Sequence, residues 1–148
     1  MLVQQMKYIA SFLVFTILLS CSGNSNDDRN CRFLLDISIS ESINLNFPQY
    51  SQLKSINVPV HIPQIGGGDG IIVNNTGARY VAFDATDPNH IPSDCSSLRI
   101  DGIIAKCNCD DGNEYSLLDG IPLGNNGTKC PLRGYIAERS GDNLLIYN

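Results

Sequence analysis

Two polar loops carry the side chains of this 148-residue chain that could do chemistry. The first, DATDPNHIPSDC, covers residues 84–95, and the second, KCNCDDGNEY, covers residues 106–115. Both loops contain cysteine together with carboxylate and amide side chains, and the first also contains a histidine. Sulfur and imidazole bind soft or borderline metal ions, whereas carboxylate and amide oxygens suit hard cations. A fold that brings the two loops together would therefore build a metal or cluster site.

The segments around the loops alternate apolar and polar residues with the period of two that is typical of half-buried strands. The alternation holds in ESINLNFP (41–48) and NVPVHIP (57–63), while GIIVNNTGARYVAFDA (70–85) and CPLRGYIAERSGDNLLIYN (130–148) are predicted hairpins. LRIDGIIAK (98–106) is predicted to be one strand between the loops. No window has the pattern of a sustained amphipathic helix. We predict an all-β fold of about eight to ten short strands, a small antiparallel sandwich or barrel with the two loops at one end.

The N-terminal residues have the layout of a secretory signal. Lys7 precedes an apolar stretch over residues 8–19, which is followed by Ser20 and Cys21. The apolar stretch is about half as long as the roughly 20 residues of a membrane-spanning helix. Its end, LLSC, resembles the bacterial lipoprotein box, which implies that Cys21 becomes the lipidated N-terminus of the mature chain. An ordinary cleaved signal followed by a chance cysteine is the alternative.

This layout divides the chain into three parts. We predict a lipoprotein signal peptide over residues 1–20, the lipidated cysteine and a flexible tether over 21–29, and a single β domain over 30–148. The tether contains no hydrophobic residue after Cys21 that could order it. The remaining length suffices for one domain with a modest core. The protein is therefore expected in the bacterial cell envelope, anchored by lipid to the outer membrane and facing the periplasm or the surface.

The charge of the chain narrows its possible partners, and its cysteine content limits the number of disulfides. Ten Lys and Arg against 15 Asp and Glu give a formal net charge of −5, and no basic patch is present that would bind nucleic acid. Of the six cysteines, Cys21 would carry lipid. The others are odd in number, so they can form at most two disulfides and leave one thiol in an oxidising compartment.

A strand like RYVAFDAT leads into a loop with proline, and then come a short strand, a Cys-x-Cys loop running into EYSLLDG, and the closing segment PLRGYIAERSGDNLLIY. This order of strands and loops resembles the Rieske domain. In that family two loops clamp a [2Fe–2S] cluster through Cys-x-His in the first loop and Cys-x-x-His in the second. The resemblance covers residues 80–147 and implies a Rieske-like β fold.

The resemblance places the four cluster-ligand positions at Asp87 and Asn89 in the first loop and at Cys107 and Asp110 in the second. Only Cys107 keeps a residue type that the family uses. A Rieske centre needs two thiolates and two neutral imidazoles, and aspartate and asparagine offer hard oxygens instead. We therefore expect that the [2Fe–2S] cluster has been lost and that the domain takes no cofactor and no metal.

The resulting hypothesis is a membrane-anchored lipoprotein whose Rieske-like domain is a binding or structural module for a protein partner in the envelope, and not an enzyme. Two alternatives stay open. One is Rieske-type electron transfer through an unusually ligated [2Fe–2S] centre. The other is a hard-metal site, such as a Ca²⁺ site, at Asp87, Asp110 and Asp111.

The resemblance also implies a disulfide between the loops. In cluster-binding members of the respiratory type a second cysteine in each loop forms this bond, and Cys95 and Cys109 lie near those places. A bond between Cys95 and Cys107 is the rival pairing, and the sequence leaves both open. Cys31, near the start of the domain, and Cys130, before the last hairpin, are candidates for a second disulfide. With Cys95 bonded to Cys109, Cys107 would be the remaining thiol.

Overall fold

The computed structural model describes residues 31, 33–89, 91–124 and 130–148. These residues form β-strands joined by turns and loops, with a short 3-10 helix over Ser51–Lys54. The predicted signal peptide, Cys21 and the tether lie outside the described residues, as does His90. Among the described residues, none belongs to a helix that is long and apolar enough to cross a membrane. The prediction of an all-β fold is confirmed.

The described part of the chain contains ten strands, which form two antiparallel sheets. In chain order they are β1 (Ser40–Asn44), β2 (Val60–Ile62), β3 (Ile71–Asn75), β4 (Tyr80–Asp84), β5 (Leu98–Asp101), β6 (Ile104–Cys107), β7 (Glu114–Ser116), β8 (Pro122–Leu123), β9 (Gly134–Ser140) and β10 (Asn143–Tyr147). The six-stranded sheet has the order β1-β10-β9-β4-β3-β2, and the four-stranded sheet has the order β5-β6-β7-β8. The two polar loops connect β4 to β5 and β6 to β7.

Strand β3 lies between two apolar cores. Ile71 and Val73 belong to one core, and Ile72 between them belongs to the other. All three side chains are fully buried, which explains why this strand is a continuous apolar run and does not alternate. The second core also contains Ala105 and Tyr115 of the four-stranded sheet. The four-stranded sheet therefore packs on strands β3 and β4 of the six-stranded sheet.

Strand pairing brings the two polar loops to the same end of the domain. Leu98, the first residue of β5, pairs with Cys107, the last residue of β6, so the first loop ends where the second begins. A bridge between Thr86 and Ser97 closes the first loop at its base. The two loops, residues 85–97 and 108–113, therefore lie side by side as predicted, and they are called the loop end.

The prediction of a single strand over residues 98–106 is wrong, because this segment turns back on itself. Asp101 pairs with Ile104 across a two-residue turn, and Gly102 in that turn has a φ of 62°. Glycine adopts a positive φ without steric cost, and a glycine at the first position of a two-residue turn is a hairpin signal. The resulting β5–β6 hairpin places the second loop next to the first.

Candidate functional site

Asp87, the first of the four positions implied by the resemblance, is buried at the base of the first loop. Its carboxylate accepts hydrogen bonds from the Asn89 N–H at 2.8 Å, from the side-chain amide of Asn113 at 2.9 Å, and from the hydroxyl of Tyr115. Its side chain has no solvent exposure. Burying a carboxylate is costly unless donors surround it, and these three donors do so. Asp87 therefore links the first loop to the segment that enters β7.

Asn89, the second position, ties the first loop to the chain at Cys130. Its side-chain amide donates to the Cys130 carbonyl at 2.9 Å and to the Tyr115 hydroxyl at 2.8 Å, while its side-chain oxygen accepts from the Cys130 N–H at 2.9 Å. Cys130 in turn forms a disulfide with Cys31, with the two Cα atoms 5.4 Å apart. The side chains of Asp87 and Asn89 are thus both engaged with protein groups.

Tyr115 on β7 connects these two residues. Its side chain is fully buried, and burial, reinforced by the hydrogen bond to Asp87, raises the pKa of the Tyr115 hydroxyl well above its usual range. The hydroxyl therefore stays protonated and donates a hydrogen bond to the Asp87 carboxylate. The roles of Tyr115 and Asn113 were not predicted from the sequence. Their only signal is the spacing of two residues, which places both side chains on the same buried face as the chain enters β7.

A disulfide between Cys95 and Cys109 joins the two loops. Their Cα atoms are 4.9 Å apart, and the rival pair of Cys95 with Cys107 is not formed. Cys95 is exposed, and Cys109 is half-buried. Together with the Cys31–Cys130 bond, this gives two disulfides among the described residues, and the expectation that the domain contains disulfides is confirmed.

Cys107 remains a thiol beside this disulfide. Only 7% of it is exposed, its sulfur accepts a hydrogen bond from the Cys109 N–H at 3.4 Å, and it donates to the Cys95 carbonyl at 3.8 Å. Burial raises the pKa of the Cys107 thiol to about 12, and the carboxylates of Asp87 and Asp111 act in the same direction. In this form of the loop end the thiol is therefore protonated at neutral pH and is a poor nucleophile.

Comparison with solved structures identifies the architecture. One similar structure is a chain of the complex of reduced oxygenase and oxidized ferredoxin in carbazole 1,9a-dioxygenase; it is 17% identical with a TM-score of 0.50, and the match covers 74% of this chain and 93% of that chain. The fold is Rieske-like. A second is the ferredoxin of carbazole 1,9a-dioxygenase from Nocardioides aromaticivorans IC177, at 16% identity and a TM-score of 0.47, covering 74% of this chain and 95% of that chain. No family model and no curated protein matches this chain.

The Rieske-like fold raises the question of whether the loop end fits a [2Fe–2S] cluster. A Rieske centre takes two cysteines and two histidines. Of the four implied positions only Cys107 offers sulfur, the side chains of Asp87 and Asn89 are held in hydrogen bonds, and Asp110 is an exposed loop residue. The residues at these four positions therefore do not supply the donor set of a Rieske centre.

The expectation that this Rieske-like domain takes no cofactor and no metal is nevertheless wrong. The ligand atoms of Cys107, Cys109 and Asp111 all lie within 4.8 Å of one another, and such a group could hold a metal ion. The expectation rested on the four positions that the family uses as ligands, and the hard-metal alternative included Asp111 without a cysteine. Local sequence pattern did not reveal that the β6–β7 loop brings the side chains of three alternate residues together.

The three aspartates of the hard-metal alternative are not arranged as that hypothesis requires. Asp87 faces the donors of Tyr115 and Asn113, and Asp111 groups with two cysteines. Within the described ranges, Asp87, Asp110 and Asp111 do not form a three-carboxylate group of the same compactness. A site that includes Asp111 would therefore contain sulfur, and sulfur ligands prefer soft or borderline ions to Ca²⁺.

Proposed function

We propose that this chain is a lipid-anchored protein of the bacterial cell envelope whose Rieske-like domain binds a protein partner through the loop end. The domain is predicted over residues 30–148, and the predicted tether over 21–29 would let it reach a partner near the membrane. In this proposal the donor set of a Rieske centre has been replaced by residues that fix the shape of the loops.

The observation that carries the proposal is the double anchoring of the loop end. The Cys95–Cys109 disulfide joins the two loops, and the buried Asp87 carboxylate joins them again through Asn113 and Tyr115. Loops that are ordered before binding lose less conformational entropy on association than mobile loops do. A binding surface benefits from loops of fixed shape. These loops are fixed although they lack the donor set of a Rieske centre.

The outer face of the first loop offers apolar surface to such a partner. Ile91 is 72% exposed, and Pro92 beside it is exposed as well. The similar solved structure is described as a complex of an oxygenase with a ferredoxin, so a chain of that assembly works with a protein partner. We propose the same kind of association for this chain, with a partner that is an envelope protein.

Site-specific crosslinking tests the partner. A photoreactive amino acid at Ile91 in the full chain, expressed in its own cell envelope, is expected to give one dominant adduct with another envelope protein. The matched control carries the same amino acid at Asp142, in the exposed turn between β9 and β10 at the opposite end of the domain, and should give no such adduct. Equal adducts from both positions would contradict a binding surface at the loop end.

Membrane fractionation tests the lipid anchor. Cys21→Ser removes the thiol that the lipoprotein box would acylate, so the variant is expected to lose its lipid and to be found unprocessed or in the soluble fraction. The wild-type chain should be found with the membranes. A Cys21→Ser protein that is still acylated and membrane-bound would show that the anchor does not depend on this cysteine.

Electron transfer through an unusually ligated centre is the second candidate function. It is favoured by the Rieske-like fold together with the group of Cys107, Cys109 and Asp111, which could hold a metal ion once the Cys95–Cys109 disulfide is reduced. Iron and acid-labile sulfide in the anaerobically purified protein, with absorption in the visible range, would favour this function over a role in partner binding alone.

A further inference from the structure

The β6–β7 loop carries three side chains with metal-ligating atoms at alternate positions. Cys107 ends β6, Cys109 and Asp111 follow it, and their ligand atoms lie within 4.8 Å of one another. The Cys109 N–H donates to the Cys107 sulfur at 3.4 Å. Asn113 donates to both oxygens of Asp111, from its N–H at 3.1 Å and from its side-chain amide at 3.0 Å. The loop backbone and Asn113 therefore hold the group in place.

Two sulfurs and a carboxylate are a suitable donor set for a borderline divalent ion such as Zn²⁺. In a tetrahedral site, Zn–S bonds of about 2.3 Å place two sulfurs about 3.8 Å apart, and small side-chain movements within the observed group reach that spacing. Three protein ligands leave the fourth position to water. The Asp87 carboxylate interacts with the Cys107 sulfur, so it adds negative charge that favours a cation.

The loop disulfide makes this donor set unavailable to a metal ion. Cys109 Sγ is bonded to Cys95, so it cannot be the thiolate that binds zinc. Cys95 is exposed, and a surface cleft of about 310 Å³ is lined by residues that include Cys107, Cys109 and Asp110. A reductant can therefore reach the disulfide, and an ion can reach the sulfurs.

We propose that the Cys95–Cys109 disulfide and a zinc site at Cys107, Cys109 and Asp111 are alternative states of the same loop end. A protein dithiol of the thioredoxin type supplies two electrons and two protons, its own thiols become a disulfide, and Cys95 and Cys109 become thiols. Zn²⁺ then displaces the protons of Cys107 and Cys109, which pass to solvent, and binds both thiolates together with Asp111. This inference goes beyond partner binding and does not depend on it.

Zinc titration of the full chain before and after reduction tests the proposal. The protein is purified under oxidising conditions, one half is reduced with a phosphine, the reductant is removed, and both halves compete for Zn²⁺ with a chromophoric chelator. We expect one zinc per reduced chain, held at least about 100-fold more tightly than by the oxidised chain. Co²⁺ in place of Zn²⁺ should give the intense absorption of sulfur-to-cobalt charge transfer only after reduction.

Four substitutions identify the ligands. Cys95→Ser leaves Cys109 as a thiol, so this variant is expected to bind zinc without reduction, and a thiol assay establishes that Cys109 is reduced. In the reduced protein, Cys107→Ser should remove tight binding, and Asp111→Asn should weaken it about 10-fold or more. Asp110→Asn is the matched control, because Asp110 is the neighbouring carboxylate and is not in the group, and it should leave zinc affinity unchanged.

Three results would overturn the proposal. The first is equal zinc affinity of the oxidised and reduced wild-type chain. The second is full binding by the reduced Cys107→Ser variant, since the ion would then be held by a set of ligands that does not include Cys107. The third is a Cys95→Ser protein with reduced Cys107 and Cys109 that fails to bind zinc. None of these results changes the outcome of the crosslinking test at Ile91, so the two proposals fail separately.

Discussion

The Cys31→Ser/Cys130→Ser variant is expected to lose about 4–5 kcal/mol of unfolding free energy. The bond joins residues that are 99 positions apart, and the constraint that a cross-link places on the unfolded chain grows with the length of the loop it closes. The variant should also loosen Cys130, which holds Asn89 of the first loop through two hydrogen bonds. Urea denaturation followed by tyrosine fluorescence measures the loss, since the chain contains no tryptophan.

The loop disulfide provides the matched control for this measurement. Cys95→Ser/Cys109→Ser opens a bond between residues only 14 positions apart, and it should lower the unfolding free energy by about 3 kcal/mol. Both double variants exchange the same atoms, so their difference reports the length of the closed loop together with the loosening of the contact between Cys130 and Asn89. A long-range variant that is no less stable than the short-range one would contradict the entropic argument.

Asp87→Ala is expected to lower the unfolding free energy by about 3 kcal/mol. The substitution removes the acceptor of three buried or half-buried donors, the Asn89 N–H, the Asn113 amide and the Tyr115 hydroxyl. A donor that is left unsatisfied in the interior retains the full penalty of its desolvation. Thermal or urea unfolding measures the change, and limited proteolysis should show cleavage in the first loop of the variant.

Asp110→Ala is the control for Asp87→Ala. Both aspartates occupy positions where the Rieske resemblance implies a cluster ligand, but Asp110 is exposed. Its replacement is therefore expected to change the unfolding free energy by less than about 0.5 kcal/mol. Similar losses from both variants would mean that the buried network around Asp87 does not stabilise the loop end.

Much of the fold could be predicted from local sequence pattern. The hairpin over residues 70–85 and the closing hairpin after Cys130 are both present, because apolar strands on either side of a turn sequence specify antiparallel pairing. The turn at Gly102 was missed because the apolar residues around it read as one continuous strand. The turn at this single glycine, which has a positive φ, places the second loop next to the first. An apolar pattern alone does not show where the backbone adopts a positive φ.

The candidate site was predictable only in outline. The order of elements placed Cys107 and the two loops correctly at one end, but the partners of Asp87 and Asn89 depend on which side chains pack across β7 and beside Cys130. Such contacts join residues up to 41 positions apart, and no local pattern encodes them. The expectation of a domain without metal failed for a related reason, since the group at Cys109 and Asp111 exists through the shape of one loop.

Strand β3 has a consequence for how this domain unfolds. Ile72 packs with the four-stranded sheet, and Ile71 and Val73 on either side of it pack with the six-stranded sheet. Neither sheet can therefore separate without exposing a strand on which the other depends. The two sheets should form one cooperative unit in hydrogen exchange. The slowest-exchanging amides of both sheets should therefore exchange through the same opening event. Damage at the loop end would then lower the stability of the whole domain and would not stay local.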